Sequence, residues 1–274
     1  MNDENKKEGN ELIARVKEIQ ERRANHGLQL PLWPDDKRGT PNTFLRSALF
    51  AAIQGKDRVW LKNEVLASQR GITIIFTGEQ LNQEDLTVWE SVIHLVREQP
   101  LGTAYTLSAH SILKNAGMHT GNSQHKQLYD HLRRLTAGLV EITQENTVQY
   151  MGHLINSVLK ETASSHYEIE VNKKLIQLYG EKRWTPLDVE LRQKLRNRPL
   201  ALALFRHYST HHDPYPYKLE TIAAYVGSKN QSVRGFKQQL TKALTQLVHA
   251  GFLCDFAISK DNLVTVKRHG IRDI

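Results

Sequence analysis

Three side chains fall at the spacing that one face of a helix requires: Arg234, Gln238 and Lys242 stand at i, i+4 and i+8. Arginine pairs twice with guanine O6 and N7, and glutamine pairs twice with adenine N6 and N7. A helix presenting them together therefore suits the major groove of DNA. Gln231 and Thr241 extend the same polar surface, and Lys229 stands just ahead of it. Lys237 falls nearer the apolar edge, from which a long stem can carry its ammonium group out to a phosphate. Gly235 interrupts the helix at a cost of about 1 kcal/mol relative to alanine. Its place on the outer face implies close approach of the helix backbone to a sugar-phosphate chain. Ordinary solvated amphipathic helices share this pattern, but no acidic residue occurs between Glu220 and Asp255, which favours an anionic partner.

The elements around these residues predict a helix-turn-helix. A short apolar segment, Leu219–Val226, breaks at Gly227-Ser228. A longer pattern then places Val233, Phe236, Leu240, Leu244 and Leu247 on one inward face. The arrangement recurs upstream in weaker form. Leu107–Gly117 and Ser123–Gly138 are two helical patterns, the second with Leu128, Leu132 and Leu135 inward and Ser123, Lys126, Arg133 and Arg134 outward. Asp130 shares that outer face and opposes phosphate binding there. Each copy ends in a glycine followed by a strand, from Gly138 and from Gly251. Strands at Val148–Ile155 and Tyr167–Val171 follow the first copy. A hairpin of Phe252–Ile258 and Leu263–Lys267 follows the second, with Lys260, Lys267 and Arg268 as backbone contacts on a wing.

The expectation is an α+β fold of two tandem winged-helix domains. Residues 1–29 form a flexible segment with a short amphipathic helix at Asn10–Ala24, residues 30–180 the first domain, and 181–274 the second, with the boundary near Gly180. Further helices are expected from Asn42 through Ile53, at Gln83–Gln99, Pro186–Leu195 and Pro199–His211, with a strand at Ile72–Thr77.

Charge is distributed unevenly. Residues 1–180 carry 21 basic and 21 acidic side chains, whereas residues 181–274 carry 16 and 8, so the second half holds the whole net charge of +8. A basic half implies a polyanion, nucleic acid before an anionic membrane surface. The mean hydropathy of −0.51 and the lack of an 18-residue apolar run argue against a membrane span. The acidic, polar N-terminus fits neither a signal nor a transit peptide. Cys254, the single cysteine, precludes an intrachain disulfide, suits a cytoplasmic setting and is expected as a buried thiol among Phe252, Leu253 and Phe256. His207 and His211 have a metal-compatible spacing without the intervening Glu or nearby cysteine of a zinc site. With no P-loop, nucleophile elbow or paired-histidine nickase motif, no catalytic residue, metal or cofactor is expected.

Three stretches carry a family resemblance: WPDDKRGTPNTFLRSALF at 33–50, ITIIFTGEQL at 72–81 with VWESVIHLVREQPLG at 88–102, and HDPYPYKLETIAAYVGS at 212–228. In these the chain resembles the TrfA-type replication initiators of broad-host-range bacterial plasmids. The resemblance implies two winged-helix domains that bind direct repeats (iterons) in double-stranded origin DNA. It also implies opening of an adjacent AT-rich segment, recruitment of the host initiator and replicative helicase, and a monomer–dimer equilibrium. A repressor occupying an operator is the alternative. Some members carry a Gln-Leu-x-Leu-Phe peptide that docks on the bacterial sliding clamp. Gln29, Leu30, Leu32 and Trp33 fit that pattern with Trp for Phe, although Trp33 also begins the first matching stretch.

Overall fold

The computed structural model describes residues 29–145, 147–161, 164–230 and 232–269. The amphipathic helix expected at Asn10–Ala24 and the side chain of Gln231 lie outside the described residues.

The chain is a mixed α+β protein. Its first stretch comprises β1 (Lys37–Pro41), α1 (Asn42–Leu45), β2 (Phe50–Ala51), β3 (Trp60–Leu66), β4 (Ile72–Glu79), β5 (Leu81–Asn82) and α2 (Gln83–Val96). There follow β6 (Ala104–Ser108), α3 (Ala109–Ala116), α4 (Asn122–Ala137), β7 (Leu139–Gln144), β8 (Thr147–His153), β9 (Ser157–Lys160) and β10 (His166–Glu170). The remainder is β11 (Trp184–Asp188), α5 (Val189–Lys194), α6 (Pro199–Ser209), β12 (Tyr217–Lys218), α7 (Leu219–Tyr225), α8 (Val233–His249), β13 (Leu253–Ile258) and β14 (Leu263–Arg268).

One order of elements occurs twice. In each half a long helix (α2 or α6) leads to a strand, two helices and a hairpin, and the strand pairs with the hairpin's second arm. β6 pairs antiparallel with β10, placing Tyr105 opposite Ile169, and β12 pairs with β14, placing Tyr217 opposite Val264. Local chemistry sets the helix ends. Asn82 and Asp85 form a reciprocal capping box at the start of α2, and Ser108 and Ser232 cap α3 and α8 through their hydroxyls.

The first half departs from the expected duplication. Between α4 and its hairpin it inserts β7 and β8, which join β3 and β4 in a four-stranded sheet of order β3-β4-β7-β8. Val140 and Ile142 on β7 lie opposite Phe76 and Ile74 on β4, and all four are buried, so this strand is drawn to a second sheet by its apolar face. The strand expected at Val148–Ile155 as part of a wing is therefore β8 of that sheet. The counterpart of β13–β14 is β9–β10, not the strand after Gly138.

Two further expectations change. Only Asn42–Leu45 is helical in the segment expected to run to Ile53. Beyond it the backbone finds distant partners: the Ala48 amide donates to the Ala67 carbonyl and the Ala52 amide to that of Val226. Because Phe44, Leu45, Leu49 and Phe50 are all buried, the segment is enclosed on every side, and burial rather than one-faced amphipathicity explains its apolar spacing. Likewise Pro186–Leu195 is split, its first part paired in β11 and only Val189–Lys194 helical.

The boundary expected near Gly180 is bridged several times. β1 pairs with β11 across it, with the Lys37 ammonium 2.7 Å from Asp188. At the centre Glu90, fully buried on α2, accepts from Arg206 at 2.7 Å, Arg192 at 3.2 Å and the Thr40 hydroxyl at 3.0 Å. Two arginines from the second half thus meet one carboxylate from the first. A single apolar core runs through both halves, from Leu30 to Val266.

Candidate nucleic-acid interface

Helix α8 turns Phe236, Leu240, Ala243, Leu244 and Leu247 inward and leaves Arg234, Gln238, Thr241 and Lys242 exposed. The apolar stripe alone fixes the outward direction of the polar set, since residues three and four apart share a face. Val233, expected inward, is 48% exposed at the first turn. The Lys237 ammonium does not reach outward: it donates to the Asn262 side chain at 3.1 Å and so fastens α8 to the hairpin turn. Lys229 is exposed, its ammonium donating to the Asp57 carbonyl, a neutral acceptor that leaves its charge uncompensated.

Gly235 has a structural cause that the sequence did not disclose. A Cβ there would lie 3.0 Å from the Asn230 amide nitrogen and 3.4 Å from the Ser232 Cβ. The loop entering α8 folds over this position, and the Gly235 amide donates to the Ser232 cap. The glycine makes room for that loop, so close approach to a sugar-phosphate chain is not needed to explain it.

On the β13–β14 hairpin, Lys260 and Lys267 are exposed, as a wing contact requires. Arg268 is turned inward. It donates to the carbonyls of Tyr208 at 3.2 Å and His211 at 2.5 Å and stacks over Phe252, and burial lowers its pKa. Its role is to hold the end of α6, not to contact a wing's partner. Cys254, expected to be buried, is exposed because β13 turns Leu253 inward and the next residue outward.

In the first half Ser123, Lys126 and Arg133 are exposed on α4, and Arg133 lies 3.7 Å from Asp130. Arg134 is not available. It is 8% exposed and lies 3.0 Å from Asp85, which also binds His131 at 2.7 Å and Arg58 at 2.8 Å. Burial pushes the Asp85 carboxyl up, yet the hydrogen bond with His131 and the guanidinium groups of Arg134 and Arg58 outweigh it and hold the pKa at about 2. Helical spacing could not separate Arg134 from Arg133, because the distinction depends on Asp85, 49 residues away. Lys160, missed in the sequence, lies at the end of β9 and 5.4 Å from the ring of half-exposed Tyr129 on α4.

The segment fitted to a clamp-docking peptide is largely built into the fold. Trp33 is 5% exposed, stacks on Tyr179 at 5.9 Å, contacts Trp184 at 5.6 Å and donates from Nε1 to His94 at 3.1 Å. Gly39 leaves space for the ring, since a Cβ there would stand 2.5 Å from it. Leu30 is buried too, and Gln29, though exposed, donates to the Glu98 carbonyl, so of the two leucines and the aromatic only Leu32 is exposed, at 71%. An aromatic anchor packed among two other rings cannot be offered to a partner.

His207 and His211 pack their rings 5.0 Å apart. Burial, with His211 and Arg46 nearby, lowers His207 to about 3, so it is neutral. Among the described residues no group of three or more histidine, cysteine, aspartate or glutamate side chains is placed to hold a metal ion, and no helix is long and apolar enough to cross a membrane.

These features define an α+β protein with a twice-repeated helix–helix–hairpin unit and a cationic, amide-bearing helix face on the second copy. The profile of the TrfA protein family matches residues 6–268, and the chain belongs to that family. Similar proteins include the plasmid replication initiator protein TrfA of Escherichia coli, 28% identical over 247 residues, covering 86% of this chain and 63% of that protein. RepFIB replication protein A of Salmonella typhi is 24% identical over 186 residues, covering 65% of this chain and 57% of that protein. The chain thus spans about three fifths of the length of these relatives. Its fold is shared with domains 2 and 3 of RctB, with a TM-score of 0.54 at 10% identity over 84% of this chain and 98% of that one. The Pi initiator protein, solved in complex with iteron DNA, shares it with a TM-score of 0.50 at 11% identity over 79% of this chain and all of that one.

Proposed function

We propose that the chain is a plasmid replication initiator that binds direct repeats in double-stranded origin DNA through two winged-helix units. α4 and α8 are the reading helices of those units, and β9–β10 and β13–β14 are their wings. The units correspond to residues 30–180 and 181–274, docked on each other through Glu90. The carrying observation is the exposed set Arg234, Gln238, Thr241 and Lys242 on α8, with no acidic side chain between Glu220 and Asp255 to oppose phosphate. In helix-turn-helix proteins the second helix lies in the major groove, where arginine and glutamine have defined base partners. The solved Pi initiator, whose fold this chain shares, is bound to iteron DNA, which supports repeats as the target.

On this reading the protein is not an enzyme and needs no cofactor. It acts in the bacterial cytoplasm in a monomer–dimer equilibrium, helps open DNA beside the repeats and recruits the host initiator and helicase. Footprinting on the origin of the plasmid encoding the chain tests it. Evenly spaced protection over direct repeats is expected. Protection of a single inverted repeat upstream of a gene would favour an operator-binding repressor, and absence of protection would end the DNA reading.

A further inference from the structure

Between the two reading helices lies a short connector, Leu195–Arg198, joining α5 to α6. It is a tight turn. The Arg196 amide donates to the Gln193 carbonyl at 3.1 Å, the Arg198 amide to that of Leu195 at 3.2 Å, and Asn197 has φ of +61°. Each end is anchored to a different half of the molecule. The Arg196 guanidinium donates to the Gly117 carbonyl at the end of α3, at 2.8 Å, while Pro199 begins α6 directly after Arg198. The turn is therefore a strut of fixed shape rather than a slack linker.

A cavity opens on either side of this strut. One, of about 490 Å³, is bounded by Arg196 and Asn197 and by Gln124, Gln127 and Asp130 of α4. The other, of about 450 Å³, is bounded by Asn197 and Arg198 on the strut, by Lys229, and by Gln239, Lys242 and Gln246 of α8. Both run along the flank of a reading helix toward the connector. The second holds three cationic side chains against one carboxylate, Asp57. Arg198 itself is exposed, and its guanidinium makes no ion pair or hydrogen bond among the described residues. An arginine held on a rigid turn, with no internal acid to satisfy it, has charge to spend on an external anion.

A duplex read by two helices in successive major grooves must pass its phosphate backbone over whatever lies between them. We infer that the Arg196–Arg198 strut, with Lys229, is that crossing point: Arg198 contacts a backbone phosphate of double-stranded DNA and sets the spacing between the two reading helices. The inference rests on the DNA-binding reading above. It assigns to the connector a positioning role that carries no base information, because phosphates are the same at every step.

The test uses the full chain and duplexes enriched by it from a randomised library, alongside a random-sequence duplex of equal length. Arg198→Gln should weaken binding several-fold to both duplexes, leave the preferred sequence unchanged, and reduce the slope of log affinity against log salt by about 1. Arg198→Lys, which keeps the charge, should restore the slope. Because Arg198 is exposed, the unfolding temperature should not change. If the unmodified chain binds but Arg198→Gln matches it in affinity and salt slope, this inference is overturned and the DNA reading stands. A mutant whose base preference changes while its salt slope does not would also overturn it, by making Arg198 a base contact. If the unmodified chain enriches no duplex, the DNA reading fails and takes this inference with it.

Discussion

Arg234 and Arg134 show how far a single residue can be read without its surroundings. Both are arginines at outward helical spacing, yet one faces solvent and the other closes a buried network on Asp85. Arg234→Ala should therefore cost about 1–3 kcal/mol against one base pair and relax preference there. Competition binding across base-substituted duplexes measures this, and a uniform loss over all sequences would make Arg234 a phosphate contact. The Asp85 network gives a pH dependence of determined sign. Its folded pKa of about 2 lies below the ordinary 3.8, so its contribution, about 2 kcal/mol, is complete above pH 4 and is lost as pH falls through 2. His94 and His207, both held near 3 mainly by burial, add a decline of the same sign. Below about pH 6.5 the unfolded chain takes up protons that the folded rings refuse. Urea titrations between pH 7 and 2 should show both phases. In Arg58→Gln the folded pKa rises toward 3.8, so the lower phase should be smaller and level off at a higher pH, and an unchanged profile would remove Arg58 from the network.

At the scale of elements, the segment from Gln29 to Pro41 changed most. As a string it offers two leucines and an aromatic to a partner; folded, Trp33 lies between Tyr179 and Trp184 and donates to His94. Trp33→Ala should cost about 3–5 kcal/mol, whereas Leu32→Ala, one residue away and exposed, should stay within about 0.5 kcal/mol. Chemical denaturation of the two variants separates a packed element from a presented one. The β7–β8 insertion is an element-scale outcome of the same kind. Its alternation marks strands in the sequence but does not say which sheet will accept them.

For the whole molecule the central fact is Glu90, a carboxylate of one half buried with two arginines of the other. Removing the charge from one member of such a group leaves the rest uncompensated in a low dielectric, which typically costs about 3–5 kcal/mol. Glu90→Gln should lower the unfolding temperature markedly and separate the melting of the halves. The unmodified chain, with one continuous core, should unfold in a single transition. Calorimetry distinguishes these outcomes, and two resolved transitions in the unmodified chain would show that the halves are energetically independent.

Periodicity alone identified α4 and α8, because a one-sided apolar stripe is a local property: the residues that define it lie within four positions of one another. Composition placed the positive charge in the second half for the same reason. The polar face of α8 followed without any knowledge of distant partners. Tertiary structure alone decided which cations are free. Arg134, Arg192, Arg206 and Arg268 are all engaged by groups far away in the chain, while Arg198, which no motif marks, is left exposed. A charge is neutralised by whatever lies within a few ångströms of it, and that neighbourhood is set by how α2, α5 and α6 pack rather than by any spacing along the chain.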